Sequence, residues 1–242
     1  MIKGIFTSAA SMSARRTQQE ILSNNLANVN TAGFKRDRIF FRNTLDSATF
    51  VRRDNPEQDQ QELQFYTDFS QGRLYKTGAL LDFAIEGDGF FVVDGGNERL
   101  YTRNGHFIIN ENRELMTSMG QRVLGENGPI ILPDGDFSVN HNGEILDANN
   151  QVINRFLVAR FDDPNFSLMK RGNNLFMRRP NAPEPEMVAA PVRQGYLESA
   201  NVNIIEEMVD MIVVLRDFAN NQKTIQAQDD TLRQAVSDLG RI

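Results

Sequence analysis

The sequence predicts an α+β protein whose N- and C-terminal helices pair as a coiled-coil core and whose central segment forms an all-β domain. Two observations carry this prediction. Both terminal segments place apolar residues at helical spacing, and the middle of the chain shows turn signals roughly every eight to twelve residues. The 242 residues suffice for one large domain or two small ones with a sizeable core.

The C-terminal segment has the clearest periodicity. Neither proline nor glycine occurs between Asn201 and Asp238, so a helix of roughly 35 residues is sterically allowed. Alternate steps of four and three residues predict a coiled-coil seam, with a long helix folded against its own domain as the alternative. The seam reads Ile204, Met208, Met211, Leu215, Phe218, Gln222, Ile225, Asp229, Leu232, Val236 and Leu239.

The N-terminal segment repeats the same step with a more polar middle. Gly33 is a plausible helix stop, so the predicted N-terminal helix spans residues 1–33. The predicted seam reads Ile5, Ala9, Met12, Arg16, Gln19, Ser23 and Leu26.

The segment between the two helices has turn and strand signals instead. Turn dipeptides such as Asn104-Gly105 and Asn142-Gly143 separate short apolar runs such as FFVV at 90–93, which is typical of a sandwich or barrel-like domain. We predict a β domain at 80–179, an extended arm or linker at 34–79, a proline-rich return segment at 180–200 and a coiled-coil helix at 201–242. No internal repeat of fixed period is apparent.

Composition argues against several function classes. The formal charge of −6 and a pI near 5.1 disfavour binding to a nucleic-acid backbone. Cysteine is absent, and His106 and His141 lack a compact ligand spacing, so we expect no metal, no cofactor and no catalytic residue. No apolar run is long enough for a signal peptide or a membrane span.

Acidic turn residues leave one enzymatic alternative open, a carbohydrate-binding or hydrolytic β domain with an oligomerising helical stalk. Such a hydrolase needs two carboxylates at a defined separation, one with a raised pKa, and the sequence reveals neither property. Solvated turn carboxylates are the commoner explanation. The residues considered are Asp134, Asp136, Asp162, Asp163 and Glu184.

Opposite charges lie near opposite ends of the chain. Residues 35–42 (KRDRIFFR) contain four basic residues and one acidic residue. Residues 198–217 instead carry five acidic residues against Arg216 alone. Such a contrast favours a contact between the two segments. Two solvated surfaces without any contact are the alternative.

The stretch SNNLANVNTAGFK at 23–35 concentrates asparagine at a predicted helix end. Asn24 and Asn28 share one helix face with Asn25 beside them, and an amide-rich face suits hydrogen bonds to backbone or to another chain. Ordinary helix-end capping is the alternative.

Four ordered blocks resemble the flagellar basal-body rod and hook family. They are SNNLANVNTAGFKR at 23–36, FAIEGDGFFVV at 83–93, the segment 101–130 and RQGYLESANVNIIEEMVDMI at 193–212. The resemblance spans nearly the whole chain. The opening MIKGIFTSAASM and the ending AVSDLGRI are most similar to the proximal-rod member that adjoins the distal rod, with a distal-rod or hook-type subunit as the alternative.

The resemblance implies a non-enzymatic structural subunit of the periplasmic axial rod, exported by the flagellar type III apparatus without a cleaved signal peptide. Expected partners are other proximal and distal rod subunits, the export apparatus and a bushing ring, without nucleic acid or membrane insertion. Polymerisation through the terminal helices would form the drive shaft that transmits torque from motor to hook.

The predicted assembly interface draws on the two heptads and the asparagine-rich signature. Its members are Ile5, Met12, Asn24, Asn25, Leu26, Asn28, Val29, Gly33, Phe34, Ile204, Met208, Met211, Leu215, Phe218, Ile225, Leu232, Val236 and Leu239.

Overall fold

A computed structural model describes residues 2–42 and 62–239. The chain forms two compact units. The helical unit contains the described residues within 1–27, 37–66 and 202–242. The β unit contains residues 28–36 and 67–201.

The order of the elements agrees with the predicted α+β class, with long helices at the two ends and short strands between them. The helices are α1 (Ile2–Ala27), α2 (Pro164–Ser167) and α3 (Ile204–Leu239). The strands are β1 (Asp37–Arg42), β2 (Glu62–Thr67), β3 (Leu74–Lys76), β4 (Phe83–Ile85), β5 (Phe90–Asp94), β6 (Arg99–Thr102), β7 (Phe107–Ile109), β8 (Leu115–Thr117), β9 (Leu124–Gly125), β10 (Gly128–Pro129), β11 (Ser138–Val139), β12 (Glu144–Leu146), β13 (Val152–Arg155), β14 (Val158–Arg160), β15 (Leu168–Gly172), β16 (Leu175–Arg178), β17 (Glu186–Val188), β18 (Val192–Gln194) and β19 (Tyr196–Glu198).

In the helical unit, α1 and α3 pair with each other, which confirms the predicted pairing of the terminal helices. Arg15 contacts Asp217, whereas Asn25, further along α1, contacts Glu207, nearer the start of α3. The two helices are therefore antiparallel. β1 and β2 pair in the same unit and form a two-stranded sheet.

The N-terminal helix is shorter than predicted, since α1 ends at Ala27 and not at Gly33. A turn follows, in which the Thr31 N–H donates to the Asn28 carbonyl oxygen at 3.0 Å. Asparagine and threonine side chains compete for backbone groups and weaken a helix, which explains the early stop. At the other end, Asn203 Oδ1 accepts from the Ile205 N–H at 3.1 Å and caps α3.

The β unit is built around a six-stranded sheet in the order β15-β16-β6-β5-β14-β17. The FFVV run of β5 is buried on both faces: Phe91 and Val93 enter the larger core cluster, and Phe90 and Val92 enter the smaller one. Phe91 and Phe156 stack edge-on with ring centroids 5.4 Å apart. Predicted turn signals fall at or between strand ends, as at Asn142-Gly143 between β11 and β12.

The β unit contains a repeat that the sequence analysis missed. Asn110 and Asn140, 30 positions apart, begin equivalent turns. In each turn the asparagine Oδ1 accepts from the backbone N–H of a glutamate four residues later, Glu114 or Glu144, and its Nδ2 donates 2.7 Å to that glutamate's carboxylate. Four of eight residues are identical between 107–114 and 137–144, in the shared pattern F-x-x-N-x-N-x-E. The sequence therefore carried a usable signal for the repeat, and the shared hydrogen bonds give its physical reason.

Two predicted boundaries differ from the structure. The predicted linker at 34–79 contains β1, β2 and β3, and the return segment at 180–200 contains β17, β18 and β19. These strands are short and their partners are distant in sequence, as in the β18–β4 pair, so local pattern does not reveal them. Much of the polar stretch at 54–62 lies outside the described residues.

Within the described ranges, neither terminal helix combines the length and the apolar character that a membrane span requires.

Candidate functional site

The burial pattern of α3 follows a four-three repeat that partly differs from the predicted one. Glu207 and Val214 are buried, at 5% and 1% exposure, and the half-buried residues continue the same steps. The predicted Met208 and Leu215 are exposed instead. The inner seam of α3 therefore consists of Glu207, Met211, Val214, Phe218, Asn221, Ile225, Gln228 and Leu232.

The facing surface of α1 is displaced in the same way. Ala9, Arg16 and Ser23 of the predicted heptad are exposed. The inner seam of α1, buried or half-buried, consists of Ser8, Ser11, Arg15, Gln18, Leu22 and Asn25. The α1 side of the seam is thus mostly polar, whereas five of the eight seam residues of α3 are apolar.

Apolar side chains of α3 instead lie exposed on its outer side. Their exposure runs from 44% at Ile204 to 74% at Ile205. We call this set the outer apolar face; it consists of Ile204, Ile205, Met208, Val209, Ile212, Val213 and Leu215. Contiguous exposed apolar residues of this kind are typical of interaction surfaces.

The predicted interface residues fall into four groups. Exposed are Asn24, Ile204, Met208, Leu215 and Val236, and half-buried are Met12, Leu26, Asn28, Val29, Met211, Phe218, Ile225 and Leu232. Asn25, Gly33 and Phe34 are buried. The side chains of Ile5 and Leu239 lie outside the described residues.

Asn25 links three segments of the helical unit. Its Nδ2 donates to the Asp37 carbonyl oxygen at 2.9 Å and to Glu207 Oε2 at 3.1 Å, and its Oδ1 accepts from the Asp37 N–H at 3.0 Å. With 1% exposure, Asn25 cannot present its amide to another chain. The direct contacts of Asn25 in this chain are therefore internal, and its role in assembly stays a prediction.

Replacing Asn25 with alanine is expected to destabilise the helical unit by roughly 2–3 kcal/mol. The change leaves the Asp37 backbone groups and the Glu207 carboxylate without these bonds, and a buried unpaired polar group costs roughly 1–3 kcal/mol. Alanine's better helix propensity offsets part of the loss. Urea unfolding followed by circular dichroism at the helical minimum measures the change.

Ser23→Ala is the matched control, because Ser23 is exposed on the same helix. We expect it to change the free energy of unfolding by less than about 0.5 kcal/mol. Equal stabilities for the two variants would show that the Asn25 amide does not stabilise the unit.

The segment 28–36 is docked within the β unit. The Gly33 N–H donates to the Glu198 carbonyl oxygen at 2.8 Å, and Asn174 Nδ2 donates to the Ala32 carbonyl oxygen at 3.0 Å. Gly33 has a φ of +67°, and a Cβ there would overlap the backbone of Arg103. Gly33 and Phe34 are buried in this docking contact, and their role in assembly stays a prediction.

A buried ionic cluster lies beneath this segment. Lys35 Nζ donates 2.6 Å to Glu198 Oε1, and Arg103 Nη1 lies 3.5 Å from Glu198 Oε2. Lys35 and Glu198 side chains are 0% and 1% exposed. This contact confirms the predicted attraction between the basic segment at 35–42 and the acidic segment at 198–217.

Burial acts on both cations of this cluster. It lowers the pKa of Lys35 and the pKa of Arg103, since desolvation disfavours a charged group, while the Glu198 carboxylate opposes both shifts. Glu198 Oε1 also accepts from the Gly72 N–H at 2.9 Å. A single carboxylate thus connects residues 35, 72 and 103.

A second polar group ties the same segments together. Asn201 Oδ1 accepts from the Arg36 N–H at 2.9 Å, and Asn201 Nδ2 donates to the Asp68 carbonyl oxygen at 2.7 Å. Burial alone would raise the pKa of the Asp68 carboxyl, but hydrogen bonds from Ser70 and Arg36 outweigh it and lower that pKa. Asp68 is therefore a stable anionic partner for Arg36.

Three of the five carboxylates considered for hydrolysis have structural partners. Asp163 caps α2 by accepting from the Asn165 and Phe166 N–H groups. Asp134 and Glu184 pair with Arg113 and Arg178 at 3.3 and 3.7 Å, and both carboxylates are largely exposed. These contacts give no support to a hydrolytic pair.

A groove of about 370 Å³ lies among three turns of the β unit, near Asp94, Gln121 and Arg171. Its charged groups already have partners: Asp94 binds Arg122 at 2.7 Å, and Arg171 binds Glu98 at 2.6 Å. The groove therefore offers no charged group that a ligand would be needed to satisfy. In the described ranges, no cluster of three potential metal ligands occurs.

Sequence reasoning missed Ile205, Val209, Ile212 and Val213. The run MVDMIVVL at 208–215 carried a usable signal, because it places apolar residues all around the helix and a single seam needs only one stripe. Arg103 carried no such signal, since nothing local distinguishes it from a surface arginine.

Three family models match separate parts of the chain. Residues 6–35 match a flagella basal body rod protein model, residues 84–146 a flagellar hook protein FlgE/F/G D1 domain, and residues 193–238 the C-terminal model of the flagellar basal body rod FlgEFG proteins. The docked segment, most of the central β region and much of α3 are thus covered by family patterns.

Full-length relatives agree with these matches. Flagellar basal-body rod protein FlgG of Borreliella burgdorferi is 34% identical over 96% of this chain and 97% of its own length. FlgG of Bacillus subtilis is 29% identical over 98% and 99%, and FlgF of Caulobacter vibrioides is 31% identical over 94% of each. Both FlgG and FlgF proteins occur among the relatives, and the chain belongs to this flagellar basal-body rod family.

Proposed function

We propose that this protein is a structural subunit of the bacterial flagellar basal-body rod and that it polymerises through its terminal helices. The observation that carries the proposal is the outer apolar face of α3. Its exposed side chains, such as Ile205 and Ile212, would be unfavourable in water and favourable when covered by a neighbouring subunit.

The inner seam supports the same proposal. Its α1 side is mostly polar, with residues such as Ser8 and Gln18, and Asn221 and Gln228 interrupt the apolar side chains of α3. The α1–α3 pair therefore gains less from its own packing than a fully apolar seam would. Contacts with other copies would supply the remaining stabilisation. A repeated contact between different surfaces that does not close into a ring produces a filament.

Several members of the predicted interface enter this proposal as residues of the helical unit. Met211, Phe218, Ile225 and Leu232 line the inner seam, where they position the outer face, and Met208 and Leu215 belong to that face. Asn24 and Val236 extend the exposed surface.

The proposed location is the periplasmic axial rod, which the chain would reach through the flagellar export apparatus without a cleaved signal peptide. Proposed partners are other rod subunits, with a bushing ring as a further contact, and the rod would transmit torque from motor to hook. No enzymatic activity is part of the proposal, since the family is structural and three of the five considered carboxylates have structural partners.

Purified basal bodies test the proposal. In a strain whose own copy is deleted and replaced by an epitope-tagged copy, we expect the tag along the axial rod and normal flagella. Deleting residues 204–239 from the tagged copy should abolish both. A tagged protein that stays outside the basal body as a soluble oligomer would contradict the proposal and favour a freestanding binding protein.

A further inference from the structure

We propose that residues 28–36 form an intramolecular latch that Glu198 holds closed, so that this segment docks only on a β unit whose last strand, β19, is in place. The inference concerns the folding of the single chain and does not depend on the proposed assembly. Its basis is the set of contacts that Glu198 makes from both its side chain and its backbone.

Glu198 holds the latch at two points. Its carbonyl oxygen accepts from the Gly33 N–H at 2.8 Å, and its Oε1 accepts from Lys35 Nζ at 2.6 Å. Both partners belong to the latch, whereas Glu198 itself ends β19, which pairs with β3. The latch can therefore make these bonds only when β19 has joined the unit.

Charge makes this dependence strong. Two buried cations, Lys35 and Arg103, share the one carboxylate of Glu198. Without that carboxylate, docking would bury two positive charges close together, which is strongly unfavourable in a region from which water is excluded. Glu198 thus supplies the buried negative charge that favours entry of Lys35 into the unit, where Lys35 Nζ also donates 2.6 Å to the Ser70 carbonyl oxygen.

Two other contacts hold the latch without involving the Glu198 carboxylate. Lys170 Nζ donates 2.6 Å to the Lys35 carbonyl oxygen, and Asn201 Oδ1 accepts from the Arg36 N–H. They bind backbone groups and would add to docking once Lys35 is neutralised. The two contacts between Glu198 and the latch lie in the two terminal family segments, since one match ends at Lys35 and the other begins five residues before Glu198.

Hydrogen exchange of the isolated full-length chain tests the latch. The Gly33 and Arg36 amides report the docked segment, and the Val92 amide, bonded to the Leu157 carbonyl oxygen, reports the sheet. With Glu198→Gln, we expect Gly33 and Arg36 to exchange at least about tenfold faster while Val92 stays protected. Unchanged protection of Gly33 and Arg36 would overturn the proposal.

Lys35→Met decides the question if Glu198→Gln prevents folding of the whole unit. It removes one cation and leaves Glu198 opposite Arg103, so the sheet should stay folded while the latch amides exchange faster. If latch and sheet amides accelerate together in this variant, the segment is an inseparable part of the core and the latch proposal is wrong. The same follows if neither group accelerates.

Arg160→Met is the matched control, because Arg160 forms an exposed ion pair with Glu186 in the same unit. We expect wild-type exchange at Gly33 and Arg36 in this variant. A double-mutant cycle adds a direct measure of coupling: Lys35→Met should accelerate exchange far less in the Glu198→Gln background than in the wild type. Equal acceleration in both backgrounds would contradict the coupling.

Discussion

Replacing Ile212 with glutamate is expected to abolish incorporation into the rod while leaving the isolated chain folded. Ile212 is 51% exposed on the outer apolar face, so a charge costs little in the monomer, less than about 0.5 kcal/mol. In an assembled contact the change loses roughly 1.5–3 kcal/mol of apolar burial and adds the cost of burying a charge. Each contact should weaken by at least about 100-fold.

Motility in soft agar and the amount of protein in purified basal bodies measure this effect, and thermal unfolding checks the monomer. Glutamate has a higher helix propensity than isoleucine, so weakened helix formation would not explain a loss of assembly. Gln226→Glu is the matched control, since it adds the same charge at an exposed position of α3 outside the outer face. Normal motility of the Ile212→Glu strain would refute the outer face as an assembly surface.

Replacing Gly33 with alanine should destabilise the β unit by roughly 3 kcal/mol or more. The φ of +67° costs an L-residue roughly 1–2 kcal/mol, and the added Cβ would overlap the backbone of Arg103 and Asn104. Backbone atoms of the docking surface cannot move aside as a flexible side chain could, so the overlap adds to the conformational strain. Denaturant unfolding measures the total.

Gly78→Ala separates the two costs. Gly78 has a similar φ of +75°, but a Cβ there would meet no atom within 4 Å. Its replacement should therefore cost only the conformational part, roughly 1–2 kcal/mol. Equal destabilisation by the two variants would show that close packing of Gly33 on Arg103 does not contribute.

The heptad of α3 shows which features a local sequence pattern predicts and which it does not. The four-three step correctly predicted long terminal helices and placed Met211, Phe218, Ile225 and Leu232 at inner positions. It was wrong at Met208 and Leu215, which are exposed, since Glu207 and Val214 are buried instead. Apolar residues surround this part of α3, so periodicity allows several seams, and a buried glutamate is rarely expected.

The asparagine-rich signature shows a similar division. Its composition correctly indicated the end of a helix and a dense set of hydrogen bonds, but left open whether backbone or another chain supplies the partners. In the structure, Asn25 forms hydrogen bonds with Asp37 and Glu207, and Gly33 forms one with Glu198. Two of these partners are far away in the chain, so no local pattern could select them.

The sequence by itself determined the α+β class, the two terminal helices, the turns between the strands, the attraction between the basic and acidic segments, and membership of the rod family. These properties depend on residue spacing, on backbone preferences of glycine and asparagine, and on charge. Only the tertiary structure decided which side of α3 meets α1, which residues form the outer apolar face, and how Glu198 holds Lys35. Those outcomes depend on pairings between residues distant in sequence. The free energy of burying a side chain depends on the residues that pack against it, and these are brought together only by the fold.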